Sequence, residues 1–67
     1  MTLNVTINGE RRDLSEGATI HTLLSDANLT PDKVAVELNR RLMRAEKYDT
    51  PFSDGDVVEI VTFIGGG

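Results

Sequence analysis

The sequence lacks the residues with which very small proteins often reinforce a weak core. Its 67 residues contain no cysteine and a single histidine, His21. A core of this size gives little spare stability, so disulfides or a structural metal commonly add to it. Disulfides need cysteine pairs and a metal site needs several ligands, so neither is open to this chain. Stability must therefore come from the packing of one small regular domain.

Long apolar runs and a basic leader are also missing from the sequence. A membrane span needs about 20 consecutive apolar residues, and a secretory signal needs a positively charged start ahead of an apolar stretch. We therefore expect a cytoplasmic protein that makes no membrane contact.

Positive charge is scarce, with 7 basic against 11 acidic side chains and a net charge of −4. Nucleic-acid phosphates demand cationic contacts, so we do not expect nucleic acid as a partner. The charge favours steering toward basic patches on protein partners, or it serves only to keep the domain in solution. The acidic candidates for such contacts are Glu37, Asp54, Asp56 and Glu59, although the two aspartates are expected to shape their own turn.

The arrangements that carry catalysis are absent from the sequence too. No paired acid and base, nucleophilic triad or metal-ligand cluster is visible. The glycines at residues 65–67 are not a phosphate-binding loop, because the lysine and the following helix are missing. An enzyme acting alone is therefore not expected.

The chain opens with the pattern of a β-hairpin. Apolar and polar residues alternate over residues 2–8, which predicts a half-buried strand. Asn8-Gly9 follows, and this dipeptide favours a type I′ turn because both central positions need positive φ. Residues 10–14 are then predicted to return as the second strand.

The spacing of apolar residues next changes to that of an amphipathic helix. The apolar positions are Ile20, Leu23, Leu24 and Ala27. Thr19 is the predicted N-cap, since its hydroxyl can accept a hydrogen bond from a free backbone amide. The helix should end near Asn28, because Thr30-Pro31 prevents its continuation.

Three further strands are predicted in the second half of the chain. Residues 33–39 form the third strand, Asn39-Arg40 turns the chain, and Leu42 and Met43 lie in a short fourth strand. A loop over residues 44–56 is anchored by its two aromatic side chains. Residues 57–64 form the last strand, which is nearly apolar on both faces and so suits the centre of a sheet.

This order of elements predicts an α+β fold of the ubiquitin-like β-grasp type. If the first and last strands pair side by side, they run parallel at the centre of a mixed sheet. The single main helix then packs on one face of that sheet. We expect residues 1–64 to form this domain and residues 65–67 to form a flexible C-terminal glycine tail.

The glycine tail suggests a specific chemistry. Gly65, Gly66 and Gly67 have no side chains to pack and can extend about 10 Å from the body as a very narrow peptide. The Gly67 carboxylate is ionised at neutral pH, and it can attack the α-phosphate of ATP if a partner enzyme holds both. The acyl-adenylate is then open to attack by sulfur or nitrogen. Alternatively, the glycines are a disordered tail or a cloning remnant.

The last strand also predicts where a partner binds. Val57, Glu59, Val61 and Phe63 share the face that is expected to be more open. We therefore predict a partner interface at Phe63 and Ile64, beside the tail. The alternative is ordinary packing of this face under the loop at residues 44–54.

Several short motifs together resemble those of the ThiS family, the sulfur carrier proteins of thiamine biosynthesis. The motifs are LNVTINGE (3–10), TIHTLL (19–24), VAVELN (34–39), AEKY (45–48), DGDVVEIV (54–61) and FIGGG (63–67). Their order and spacing match over essentially the whole chain. Arg40 departs from the pattern at a position where glycine would ease the turn, and we interpret it as a change in hairpin type.

The resemblance implies a mechanism and a set of partners. An adenylyltransferase of the ThiF type, similar to ubiquitin-activating enzymes, would use ATP and magnesium to adenylate Gly67. A persulfide fed by a sulfur donor such as a cysteine desulfurase would displace AMP and leave a thiocarboxylate. That group would deliver sulfur to a thiazole synthase of the ThiG type. This chain would bind no cofactor or metal and would act as a protein co-substrate.

Three other functions fit the same features. The small subunit of molybdopterin synthase shares the fold, the tail and the activation chemistry, although its relatives tend to be longer. A ubiquitin-like modifier or tRNA-thiolation carrier would use the same terminus. A non-covalent β-grasp binding module would not need its glycines at the chain end.

Overall fold

The computed structural model of the chain describes residues 1–63. Ile64 and the predicted tail at residues 65–67 lie outside this range, so the proposed boundary between domain and tail stays a prediction. Within it the strands are β1 (Thr2–Ile7), β2 (Glu10–Ser15), β3 (Val34–Leu38), β4 (Arg41–Met43) and β5 (Val57–Thr62). The helix is α1 (Ile20–Asp26), and short 3-10 turns lie at Pro31–Lys33 and Ala45–Lys47.

The five strands form one mixed sheet in the order β2-β1-β5-β3-β4. β1 and β5 run parallel, with Thr6 beside Val57 and Ile7 beside Val58. The other neighbouring pairs are antiparallel. The predicted parallel pairing of the first and last strands, with the apolar β5 at the centre, is confirmed.

Both tight hairpin turns have the same backbone form. In the β1–β2 turn, Asn8 and Gly9 have φ of 50° and 86°, as a type I′ turn requires. In the β3–β4 turn, Asn39 and Arg40 have φ of 52° and 71°. The interpretation of Arg40 as a change in hairpin type is therefore wrong. The β3–β4 turn has the same form as the Asn8-Gly9 turn. Arg40 adopts a left-handed conformation that glycine would adopt without strain.

Replacing Arg40 with glycine should stabilise the domain. A left-handed conformation costs an ordinary L-residue about 1–2 kcal/mol, and the extra freedom of glycine in the unfolded chain offsets about half of this. We expect Arg40→Gly to raise the free energy of unfolding by roughly 0.5–1 kcal/mol, measured by urea denaturation. Arg41→Gly is the matched control, because Arg41 lies in β4, and it should destabilise. A loss of stability in Arg40→Gly would contradict the strain argument.

The helix begins as predicted and ends slightly early. The Thr19 hydroxyl accepts a hydrogen bond from the Thr22 amide, and the Thr22 hydroxyl accepts one from the Thr19 amide, both at 3.2 Å. These two bonds satisfy amides that a helix start leaves unpaired. At the other end Ala27 is the C-cap and Asn28 takes a φ of 58°. Ala27 is therefore exposed, and its predicted place on the buried face is wrong.

The core lies between α1 and one face of the sheet. The buried apolar residues are Val5, Ala18, Ile20, Leu24, Val34, Val36, Tyr48, Phe52 and Val58. Tyr48 and Phe52 anchor the long loop into this core, as expected, and the Phe52 amide donates to the Ala18 carbonyl at 2.9 Å. Burial raises the pKa of Tyr48. Since α1 and the loop both pack on this side, the opposite sheet face is left for other contacts.

Candidate functional site

The sheet face opposite α1, here called the open face, carries the exposed apolar residues that lead toward the tail. Strand pairing places Val61 of β5 beside Ala35 of β3, and Glu37 of β3 beside both Glu59 of β5 and Leu42 of β4. The apolar stripe of this face consists of Leu42, Val57, Val61 and Phe63, which are 72, 45, 58 and 57% exposed. Exposed apolar side chains gathered on one face typically mark a protein-binding surface.

Phe63 directly follows β5 and is the last residue of the apolar stripe along the chain. Its amide donates to the Lys33 carbonyl at 2.9 Å, so its backbone is fixed while its ring is exposed. The exposure predicted for Phe63 is confirmed. The alternative, packing under the loop at residues 44–54, is wrong because that loop is anchored in the core on the other face. The predicted interface residue Ile64 lies outside the described residues.

Two asparagine side chains hold β5 in place at the centre of the sheet. Asn8 accepts from the Ile60 amide at 2.8 Å and donates to the Ile60 carbonyl at 3.2 Å, which extends the β1–β5 ladder beyond the last paired strand residue. Asn39 accepts from the Val57 amide at 2.9 Å and donates to Asp56 at 3.1 Å. Both turns therefore fix the strand that leads to the tail. Sequence reasoning identified these asparagines only as turn residues.

The two aspartates before β5 have structural contacts, as was expected. Asp56 accepts from the Ser53 amide at 2.8 Å and so shapes its own turn. Asp54 accepts from the Asn4 amide at 2.7 Å, which ties the turn to β1. Their carboxylates are occupied within the domain, which leaves Glu37 and Glu59 as the acidic candidates for partner contacts.

Glu37 and Glu59 form a cross-strand pair of like charges on the open face. They are directly opposite in the β3–β5 register, and both are exposed. Together with Arg40 and Val57 they line a hollow of about 360 Å³. This pairing could not be predicted from the amino-acid sequence, because the pairing depends on how two distant strands align.

The described residues also bear on metal and membrane binding. Within residues 1–63, histidine and acidic side chains do not gather in groups of three or more that would hold a metal ion. His21 lies 3.4 Å from Asp49 and meets the Tyr48 ring edge-on, with centroids 5.8 Å apart. In the same range, α1 and the 3-10 turns fall far short of the length and hydropathy of a membrane span.

The topology of this domain defines a ubiquitin-like β-grasp protein. A solved structure with the same fold is the thiamine biosynthesis protein ThiS from Geobacter metallireducens. The two chains are 36% identical and superpose with a TM-score of 0.71, over 97% of this chain and 100% of the other. The ThiS family model matches residues 5–67. The chain therefore belongs to the ThiS family.

Two relatives match nearly all of this chain but differ in how much of their own length is matched. The sulfur carrier protein ThiS of Thermus thermophilus is 42% identical over 64 residues, which are 94% of this chain and 98% of that protein. A thiazole synthase of Paramagnetospirillum magneticum is 41% identical over 66 residues, which are 97% of this chain and 20% of that protein. The chain thus spans only about a fifth of the length of this thiazole synthase.

Proposed function

We propose that this protein is a sulfur carrier whose working group is the carboxylate of Gly67. The observation that carries the proposal is the extent of the family match, which runs through the glycines to residue 67. The glycines therefore belong to the family sequence, and the interpretation as a cloning remnant loses its support. The structure is consistent with this use, because β5 is held at the sheet centre and leads to Phe63, which precedes Gly65 by two residues.

The proposed chemistry starts with a carboxylate that is a weak acylating group until it is activated. A Gly67 oxygen attacks the α-phosphorus of ATP, and pyrophosphate leaves. The terminal sulfur of a donor persulfide then attacks the acyl carbon, and AMP leaves with its electron pair. A thiol reduces the resulting acyl disulfide, which gives the Gly67 thiocarboxylate and leaves a disulfide on the donor side. The chain itself contains no cysteine that would compete for the sulfur.

The proposal assigns the catalytic steps to partners. An adenylyltransferase of the ThiF type binds ATP and magnesium and activates Gly67. A cysteine desulfurase or a related enzyme supplies the persulfide. The carrier contributes no acid, base or cofactor of its own and is not an enzyme. Because ATP and reduced thiols are needed, we place the reaction in the cytoplasm.

A thiazole synthase of the ThiG type is the proposed acceptor of the sulfur. The support is the Paramagnetospirillum magneticum thiazole synthase, in which a segment similar to this chain makes up about a fifth of one polypeptide. Joining the two in one chain raises their effective concentration, which benefits proteins that must meet for each transfer.

Mass spectrometry of the intact protein tests the proposal. After incubation with the cognate adenylating enzyme, ATP, magnesium and a persulfide donor, we expect a mass gain equal to the difference between sulfur and oxygen, located on Gly67. The mass of the protein isolated from its own cells must also show that Gly67 is the final residue. An unchanged mass with a demonstrably active enzyme, or a native chain that continues past residue 67, would overturn the proposal.

A further inference from the structure

The two edges of β5 are paired over different lengths. Toward β3, the pairing reaches Thr62, which lies beside Val34. Toward β1, the paired register ends four residues earlier, with Val58 beside Ile7. Within the described chain, the rest of β5 therefore has a neighbouring strand on one edge only, at the end that leads to the glycines.

The Asn8 side chain takes the place of a strand at this point of the β1 edge. A φ of 50° at Asn8 turns the main chain away into the hairpin. Its side-chain amide carries the same kinds of donor and acceptor as a peptide group, and it bonds both the amide and the carbonyl of Ile60, at 2.8 and 3.2 Å. On the other edge, the Phe63 amide donates to the Lys33 carbonyl at 2.9 Å. The end of β5 is thus held from both sides.

We infer that Asn8 is a positioning residue for the reaction of Gly67, because it fixes the end of the strand that leads to this carboxylate. The inference rests on the proposed function, since it needs a partner enzyme that must reach Gly67. Gly67 follows Phe63 by four residues and Val58 by nine. The effective concentration of a tethered group falls roughly as the −3/2 power of tether length. Opening of β5 back to Val58 would therefore lower the effective concentration of the carboxylate at the partner's site about threefold.

Asn39 makes a comparable contact at the opposite end of β5. It occupies the corresponding position of the β3–β4 turn, with a φ of 52°. Its side chain accepts from the amide of Val57, the first residue of β5, at 2.9 Å. Val57 precedes Gly67 by ten residues, so loss of this contact should weaken the domain without releasing the end of β5. The two asparagines therefore separate positioning of Gly67 from general stability of the sheet.

Asn8→Gly removes the side chain and keeps the turn, because Gly-Gly also favours a type I′ turn. Asn8 is exposed and lies outside the buried core, so the variant should remain folded. Steady-state kinetics use the full-length carrier as the varied substrate of the adenylating enzyme at saturating ATP. We expect the KM of Asn8→Gly to rise about threefold or more with kcat unchanged. The enzyme must then order the end of β5 on binding, whereas the bound geometry stays the same.

Hydrogen exchange of the free carrier tests the cause of this change. The Phe63 amide should exchange about fivefold or more faster in Asn8→Gly than in the natural protein, because loss of both bonds to Ile60 releases the neighbouring residues. Asn39→Gly is the matched control and should keep the natural KM and the natural exchange rate of Phe63. Urea denaturation of both variants shows how much stability each has lost.

An unchanged KM in Asn8→Gly would overturn the inference, and so would an equal rise of KM in Asn39→Gly, which would show a general effect of stability. Exchange of the Phe63 amide in the natural protein at the rate of an unprotected amide would overturn it as well, and this measurement needs no variant.

The readouts separate this inference from the proposed function. If the natural protein gains no sulfur, the proposed function fails, while exchange at Phe63 still decides whether Asn8 holds the end of β5. If the natural protein and Asn8→Gly are converted with the same KM, the proposed function stands and the positioning role of Asn8 fails.

Discussion

A variant that lacks Gly66 and Gly67 is expected to gain no sulfur from the adenylating system, while its unfolding temperature stays that of the full chain. Removing two residues leaves a carboxylate on Gly65 and shortens the reach of an extended tail by about 7 Å. A carboxylate displaced by this distance lies outside the few ångströms over which nucleophilic attack on a phosphorus occurs. The buried core residues all precede residue 59 and are unchanged in the variant.

Two length-preserving variants separate the reach of the tail from its narrowness. Gly66→Ala with Gly67→Ala keeps the carboxylate at its position and adds two Cβ atoms. Its conversion should be strongly slowed if the partner holds the tail in a channel that admits only glycine. A variant truncated by two residues and extended again by two serines restores the reach alone and should behave like the alanine variant. Full conversion of the shortened variant would contradict the assignment of Gly67.

Both measurements use the purified carrier with the adenylating enzyme, ATP and a persulfide donor. Intact mass gives the converted fraction, and thermal unfolding followed by circular dichroism gives the midpoint. A truncated variant that unfolds at a clearly lower temperature would show that residues 66 and 67 contribute to the fold. In that case the loss of sulfur transfer would no longer identify the reacting group.

The parts of the fold that rest on adjacent residues were predictable from the sequence. The turn at Asn8-Gly9 requires two positive φ values, and the dipeptide itself provides them. Thr19 and Thr22 lie three residues apart and cap the helix through their own hydroxyls. Residues 57–62 are nearly apolar on both faces of the strand, and this local pattern was enough to indicate a central position in the sheet.

The features that were missed depend on contacts between distant residues. The Asn8 side chain bonds to Ile60, 52 residues away, and nothing local distinguishes this role from that of an ordinary turn residue. The pairing of Glu37 with Glu59 depends on the register between β3 and β5. Arg40 was misinterpreted because residue preference was weighed above the hairpin geometry, which the register of β3 and β4 imposes.

Leu24→Ala is expected to remove a large part of the free energy of unfolding of this domain. Leu24 is 2% exposed and lies on the side of α1 that packs against the sheet. Burial of this side chain is lost and a cavity remains, which together cost about 3 kcal/mol in comparable cores. A domain of this length has a total stability of roughly 3–10 kcal/mol, and this chain has no disulfide to compensate.

Leu42→Ala is the matched control, because the same atoms are removed from a side chain that is 72% exposed on the open face. Its free energy of unfolding should change by less than about 0.5 kcal/mol. Urea denaturation of both variants, followed by circular dichroism, measures the difference. Similar losses of stability in the two variants would mean that α1 does not pack on the sheet as described, and the open face would then have no structural basis.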